Sequence, residues 1–206
     1  MGLLSPLTEL DAVNEMLMSI GQAPVNTLAV SGIRDVNIAK AELAKVNRFV
    51  QLYGFAFNTD DDYVLTPDIN GRIGIPNGVL RIDPMDPRAN IVQRRHPTAG
   101  LCLWDGANLT WTMDGPVAFS VTWGFDFADL PETARYFIAI AAARKFQKRI
   151  IGSTELDGYN KEDEEKAWAI LIRDERRSRD TNSFRTNPQL RRAYNRSGRS
   201  GTRVTG

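Results

Sequence analysis

At 206 residues and 23.0 kDa the chain has enough length for one large domain or two small ones with a true core. Its single cysteine, Cys102, excludes an internal disulfide framework and a cysteine-rich zinc site, and no apolar run approaches the ~20 residues of a membrane span. With no charged-then-apolar signal segment at its start, the chain is expected to be a soluble protein made and assembled in a cytoplasm. The net charge of +1 conceals an asymmetry: residues 181–206 hold six arginines and no acid, a charge of +6, which leaves −5 on the remainder.

The first helix is announced by Thr8-Glu9 and carries Leu10, Val13, Leu17 and Ile20 at spacings of three and four, until Gly21 ends it and Pro24 prevents its continuation. A second runs from Asp35, read as its N-cap, to Tyr53. Ala39, Leu43, Val46, Val50 and Tyr53 form its stripe, with Phe49 beside them and Gly54 as the stop.

From Asn58 to Phe127 proline and glycine recur every few residues. Between them lie short apolar runs at Val79–Ile82, Leu101–Trp104 and Val117–Trp123, a texture that predicts antiparallel β-structure. Asp105-Gly106 reads as the positive-φ turn of a hairpin spanning Leu103–Leu109. Helix returns after Asp129, read as a cap, with Pro131 in the first turn, and runs from Thr133 to Ile151, where Gly152 stops it. A fourth helix, about Lys161 to Arg179, opens on Glu162-Asp163-Glu164-Glu165 and closes on arginines. Both ends complement the helix dipole.

These elements predict an α+β fold: a four-helix bundle built from an N-terminal and a C-terminal helix pair, interrupted by an antiparallel β domain. The expected boundaries are 1–57 and 128–180 for the two halves of the helical domain, 58–127 for the β domain, and 181–206 for a flexible basic arm.

No catalytic constellation emerges. Asp60-Asp61-Asp62 could supply a glycosidase carboxylate or a metal ligand, but consecutive residues of an extended chain point alternately and no second acidic cluster accompanies them, so a solvated loop is expected. His96 is the only histidine; Pro97 follows it and no nucleophile motif stands near, which favours a surface or turn position. Gly71-Arg72-Ile73-Gly74 lacks the spacing of a phosphate loop. Trp104, Trp111 and Trp123 could stack on bases, but packing within the β domain is the simpler expectation. No catalytic residue, metal site or cofactor is assigned. The arm is read as protein-binding through Phe184, Arg185, Leu190, Arg191, Arg192, Tyr194, Arg196 and Arg199, whose guanidinium forks and apolar anchors suit an acidic protein surface.

Several stretches resemble the tail tubular protein A family of short-tailed bacteriophages. They are Leu10–Leu17 with Ser19-Ile20-Gly21 and Pro24–Leu28; Asn47-Arg48 with Gly54–Asn58; Leu65-Thr66-Pro67-Asp68; Leu130-Pro131-Glu132 with Arg135–Ile138 and Ala143–Gln147; and Gly152 with Glu155 and the acidic helix start. The resemblance covers about residues 8–180. It implies a structural virion protein with no enzymatic role. Twelve copies would form a ring below the portal protein and join it to the nozzle protein, tail tubular protein B, around the channel through which genomic DNA leaves without sequence-specific binding. Tail fibres would attach near the nozzle junction, and no membrane is involved. The alternatives are a head-completion adaptor of a longer-tailed phage, a tail-borne polysaccharide hydrolase using acids such as Asp60, Asp61, Asp62 and Asp86, and a nucleic-acid-binding module acting through the arm.

Overall fold

The computed structural model describes residues 4–29, 33–152 and 154–186. Nine principal elements follow one another: α1 (Glu9–Met18), α2 (Arg34–Gln51), β1 (Thr59–Leu65), β2 (Val79–Pro84), β3 (Ile91–His96), β4 (Gly100–Asp105), β5 (Val117–Trp123), α3 (Glu132–Ile150) and α4 (Thr154–Thr186). The chain is α+β, with the strands lying between two helix pairs.

Local chemistry sets the helix ends. Thr8 caps α1 through a reciprocal box: its Oγ1 accepts from the Asp11 amide at 3.1 Å, and Asp11 Oδ2 accepts from the Thr8 amide at 3.0 Å. Gly21, Gly54 and Gly152 follow the first three helices at φ of +78°, +77° and +70°, a conformation that stops a helix without a Cβ penalty. Two expected caps are displaced. Ile33, not Asp35, occupies the N-cap of α2, and Pro131, not Asp129, that of α3; Asp129 closes a short 3-10 turn, Phe127–Asp129. Helix α2 ends at Gln51, two residues before Tyr53, and α4 runs beyond the expected Lys161–Arg179 in both directions.

One core unites all four helices, with Met16, Leu17, Leu43, Phe55, Ile138, Phe146 and Leu171 among its largest fully buried members. Helix α3 is central and packs on α1, α2 and α4. It buries Ala134, Ala139, Ala141 and Ala142 as well as Phe137, Ile138 and Phe146, so its burial is not confined to one stripe; the small residues let neighbouring helices approach closely. Each large apolar side chain fully buried there contributes ~1.5–3 kcal/mol. Polar ties run between the helices: Arg149 to Glu42 at 3.0 Å, Arg144 to Glu164 at 2.6 Å, and Thr133 Oγ1 to Asp174 at 2.9 Å.

The β part has its own, smaller core of Ile73, Leu103, Met113, Phe119 and Val121. Strand β5 lies between β1 and β2 in a three-stranded antiparallel sheet, while β3 and β4 form a hairpin. Residues 73–75 extend that hairpin, the Ile73 carbonyl accepting from the Leu103 amide at 2.9 Å. The Asp105-Gly106 expectation fails in detail. Asp105 pairs with Thr110 across a four-residue loop, and the positive φ (+53°) falls on Leu109; the tight hairpin is His96–Gly100, where Gly100 has φ +81°.

Candidate interaction surfaces

The first and last strands, β1 and β5, are neighbours, so the chain leaves and re-enters the helical core at one place. Three buried polar residues fasten that crossing. Asn58 donates from Nδ2 to the carbonyls of Gln51 (3.0 Å) and Trp123 (2.7 Å), and its Oδ1 accepts from the Phe55 amide at 2.8 Å. Gln51 grips the other strand at Phe125, accepting from its amide at 2.8 Å and donating to its carbonyl at 2.9 Å. Glu175, only 8% exposed, reaches over from α4: its carboxylate accepts from the Ala56 amide at 2.9 and 3.0 Å and pairs with Arg179, which also donates to the Gly54 carbonyl. A buried polar group left without a partner costs ~1–3 kcal/mol, so this set fixes one way of joining the two cores.

A second feature is apolar. Helices α2, α3 and α4 enclose an open groove of about 570 Å³, floored by Val46, Val50, Phe137 and Trp168. Phe49, 67% exposed, and Tyr53, 58% exposed, stand at its mouth. The Lys145 ammonium lies 5.0 Å from the Phe49 ring centroid. The stripe expected on α2 therefore divides. Ala39, Leu43, Val46 and Val50 enter the core, whereas Phe49 and Tyr53 border a surface cleft.

The β part carries a third surface, a ladder of stacked side chains. Arg94 lies over Trp104 (5.0 Å), Trp104 packs edge-on to Trp111 (4.7 Å), and Trp111 packs edge-on to His96 (4.9 Å). His96 Nδ1 accepts from the amides of Thr98 and Ala99 at 3.1 Å each, so the imidazole serves the hairpin turn. Trp123 packs against the β core, with its indole N–H donating to Asp60 at 2.8 Å.

The three aspartates lie on strand β1 instead of a loop. Asp60 holds Trp123, Asp61 accepts from Ser120 Oγ at 2.8 Å, and Asp62 occupies a bulge at φ +59°. Asp86 accepts from the Arg88 amide at 2.9 Å within the connection from β2 to β3. The hydrogen bonds of these acids are made to sheet and turn groups. Among the described residues no three His, Cys, Asp or Glu side chains stand together as a metal site, and no helix is long and apolar enough to cross a membrane. Of the residues assigned to the basic arm, Phe184 and Arg185 fall within α4, which carries helix six residues beyond the expected end at 180. Leu190, Arg191, Arg192, Tyr194, Arg196 and Arg199 lie outside the described residues.

Sequence reading missed the crossing and the groove. Gln51, Asn58 and Glu175 are polar residues that read as surface, and no periodicity marks them. The one available signal was the doublet Phe49 and Tyr53, an i,i+4 apolar pair on the flank of the stripe.

A double-cored subunit with an apolar cleft on its helical face has the make-up of an assembly component. The chain belongs to the tail tubular protein family, which matches it over residues 10–181. It is similar to the tail tubular protein A of Klebsiella phage KP34, at 27% identity over 191 residues that span 91% of this chain and 98% of that protein. It is a structural protein of the bacteriophage virion tail.

Proposed function

We propose that the chain is the tail-tube adaptor of a short-tailed phage, assembled in the host cytoplasm as a ring of twelve copies. In this reading the ring sits between the portal and the nozzle protein, surrounds the DNA exit channel, and offers tail fibres an attachment near the nozzle. The observation that carries it is the family match running unbroken through both helix pairs and the β insertion, residues 10–181. The helical body (1–57 with 128–180) and the β insertion (58–127) then act as two domains of one subunit. The basic arm is its protein-binding element, acting through the eight residues named for it in the sequence. A ring needs heterologous contacts on two different faces, and a subunit with an apolar cleft and an arginine-rich end has unlike surfaces to supply them. The role is structural, without catalysis. The carboxylates that a hydrolase would need, at Asp60 and Asp61, are engaged by Trp123 and Ser120.

Electron microscopy of the purified protein, alone and with its portal, tests the reading. Closed rings docked coaxially on the portal are expected. Particles that neither close nor bind the portal would overturn it. Robust polysaccharide turnover, abolished by Asp61→Ala without unfolding, would instead establish the hydrolase.

A further inference from the structure

The three-stranded sheet has two unlike faces. Phe119 and Val121 of β5 enter the β core, and the residues that alternate with them, Ser120 and Thr122, share the other face with Asp61 of β1 and Arg81 of β2. Instead of packing on a helix, this polar face stands across an open cleft of about 850 Å³ from α4, whose Glu175, Arg176 and Arg179 form the opposite wall.

The cleft is shut at its root and wide beyond it. At the root, a Cβ on Gly54 would stand 3.3 Å from Thr122 Oγ1 and 3.4 Å from Thr59 Oγ1, so glycine lets the sheet rest close against the end of α2. The polar ties to the helices gather at the same place: Gln51 to Phe125, Asn58 to Trp123, Glu175 to Ala56 and Arg179 to Gly54. Further out each wall bonds within itself. On the sheet Asp61 accepts from Ser120 at 2.8 Å and Arg81 pairs with Asp83 at 2.7 Å. Across from them Arg176, exposed on α4, makes no ion pair among the described residues. Contacts that lie on an axis survive rotation about it, and the contacts of the outer walls do not oppose one.

We propose that the crossing is a hinge, about which the β part swings as one body toward α4 until Asp61 and Arg176 meet across the cleft. The motion belongs to the single subunit, whatever assembly it enters. Its pivots are the two connections, residues 52–58 with Gly54 at φ +77° and residues 124–126, since hinges take up motion in a few element-terminal residues. An exposed ion pair contributes little, so the closed form is only slightly favoured and open and closed forms coexist. Salt screens the pair and shifts the balance to the open form.

Distances between spin labels in the full chain test this. One label is placed on the sheet at Val64→Cys and one on α4 at Arg173→Cys, both exposed and outside the pair; the native Cys102 is buried. Double electron–electron resonance should show two distances, the shorter losing about three-fold or more of its population at ~1 M salt. Asp61→Asn or Arg176→Gln should cause the same loss at low salt. A second label pair within the β part, Val64→Cys with Leu101→Cys, should keep one distance throughout. A single Val64–Arg173 distance that neither salt nor either substitution moves overturns the proposal. So does a Val64–Leu101 distance that spreads along with it, because the β part would then be loosening and not swinging.

Discussion

The two cores solve the same problem with different means. The helical core gathers more than twenty buried side chains from all four helices and the segments beside them. The β core rests on five buried residues and a rim of partly buried ones, and its ladders are interrupted by bulges on β1 and β2. Apolar area is what stabilises the first. The second depends more on backbone pairing and on the polar crossing that holds it to its neighbour. The difference in core size leads to the expectation that the order of the β part is conditional on the helices, and not the converse.

The strongest test of that asymmetry is Phe146→Ala, which empties a fully buried site in the helical core. It should cost ~3–5 kcal/mol and lower the melting of helix and sheet together, followed by far-ultraviolet circular dichroism. Phe119→Ala removes an equally buried ring from the β core. Amide exchange should then rise in the β ladders while α1 to α3 keep their protection; loss of protection in both would end that expectation. Asn58→Ala strips partners from the Gln51 and Trp123 carbonyls and the Phe55 amide. A loss of ~3 kcal/mol is expected, with two thermal transitions replacing one. Glu175→Gln keeps the shape but weakens the hold on Ala56 and Arg179, for ~1 kcal/mol and a small rise in exchange at residues 55–58.

The smallest effect is local to α1. Hydrogen bonds from the Thr8 side chain and amide hold the Asp11 carboxyl below its ordinary value of 3.8. A depressed value means that the ionised cap stabilises the fold at neutral pH and that this is lost as pH falls through the folded-state value. Asp11→Ala should therefore lower stability at pH 7 by only a few tenths of a kcal/mol (~0.2–0.5), because the carboxylate is exposed and solvent-screened, and by nothing measurable once the native carboxyl is protonated, read from urea midpoints across a pH series.

Much of this architecture was legible beforehand. Stripes on α1 and α2, the glycine stops and the break in texture near residue 58 all follow from side-chain periodicity and backbone freedom, which act locally. Strand β3 escaped because Gln93-Arg94-Arg95 is polar and Val92–Arg95 are exposed on both faces, so no alternation marks them. The length of α4 escaped for a related reason. It lies against α3 and buries Ala167, Leu171 and Glu175 along a narrow seam, so among its described side chains most face water and only a short stretch shows helical spacing. The aspartates of β1 were misread because composition says loop, whereas pairing with β5 makes them an edge strand, where charge is the usual guard against unwanted pairing. The groove and the crossing are tertiary facts. Phe49 and Tyr53 become a surface feature only once α4 passes beside α2.

The neighbouring positions of β1 and β5 also set how the subunit bears load. A pull on the far end of the β part tensions both strands side by side. They are anchored at the same point, Asn58 beside Trp123, so neither slides past the other and the ladder between them feels little shear. The force passes instead to the buried amides at Gln51 and Asn58. Under such tension the buried side-chain amides of Gln51 and Asn58 are the contacts that carry load between the strand ends and α2.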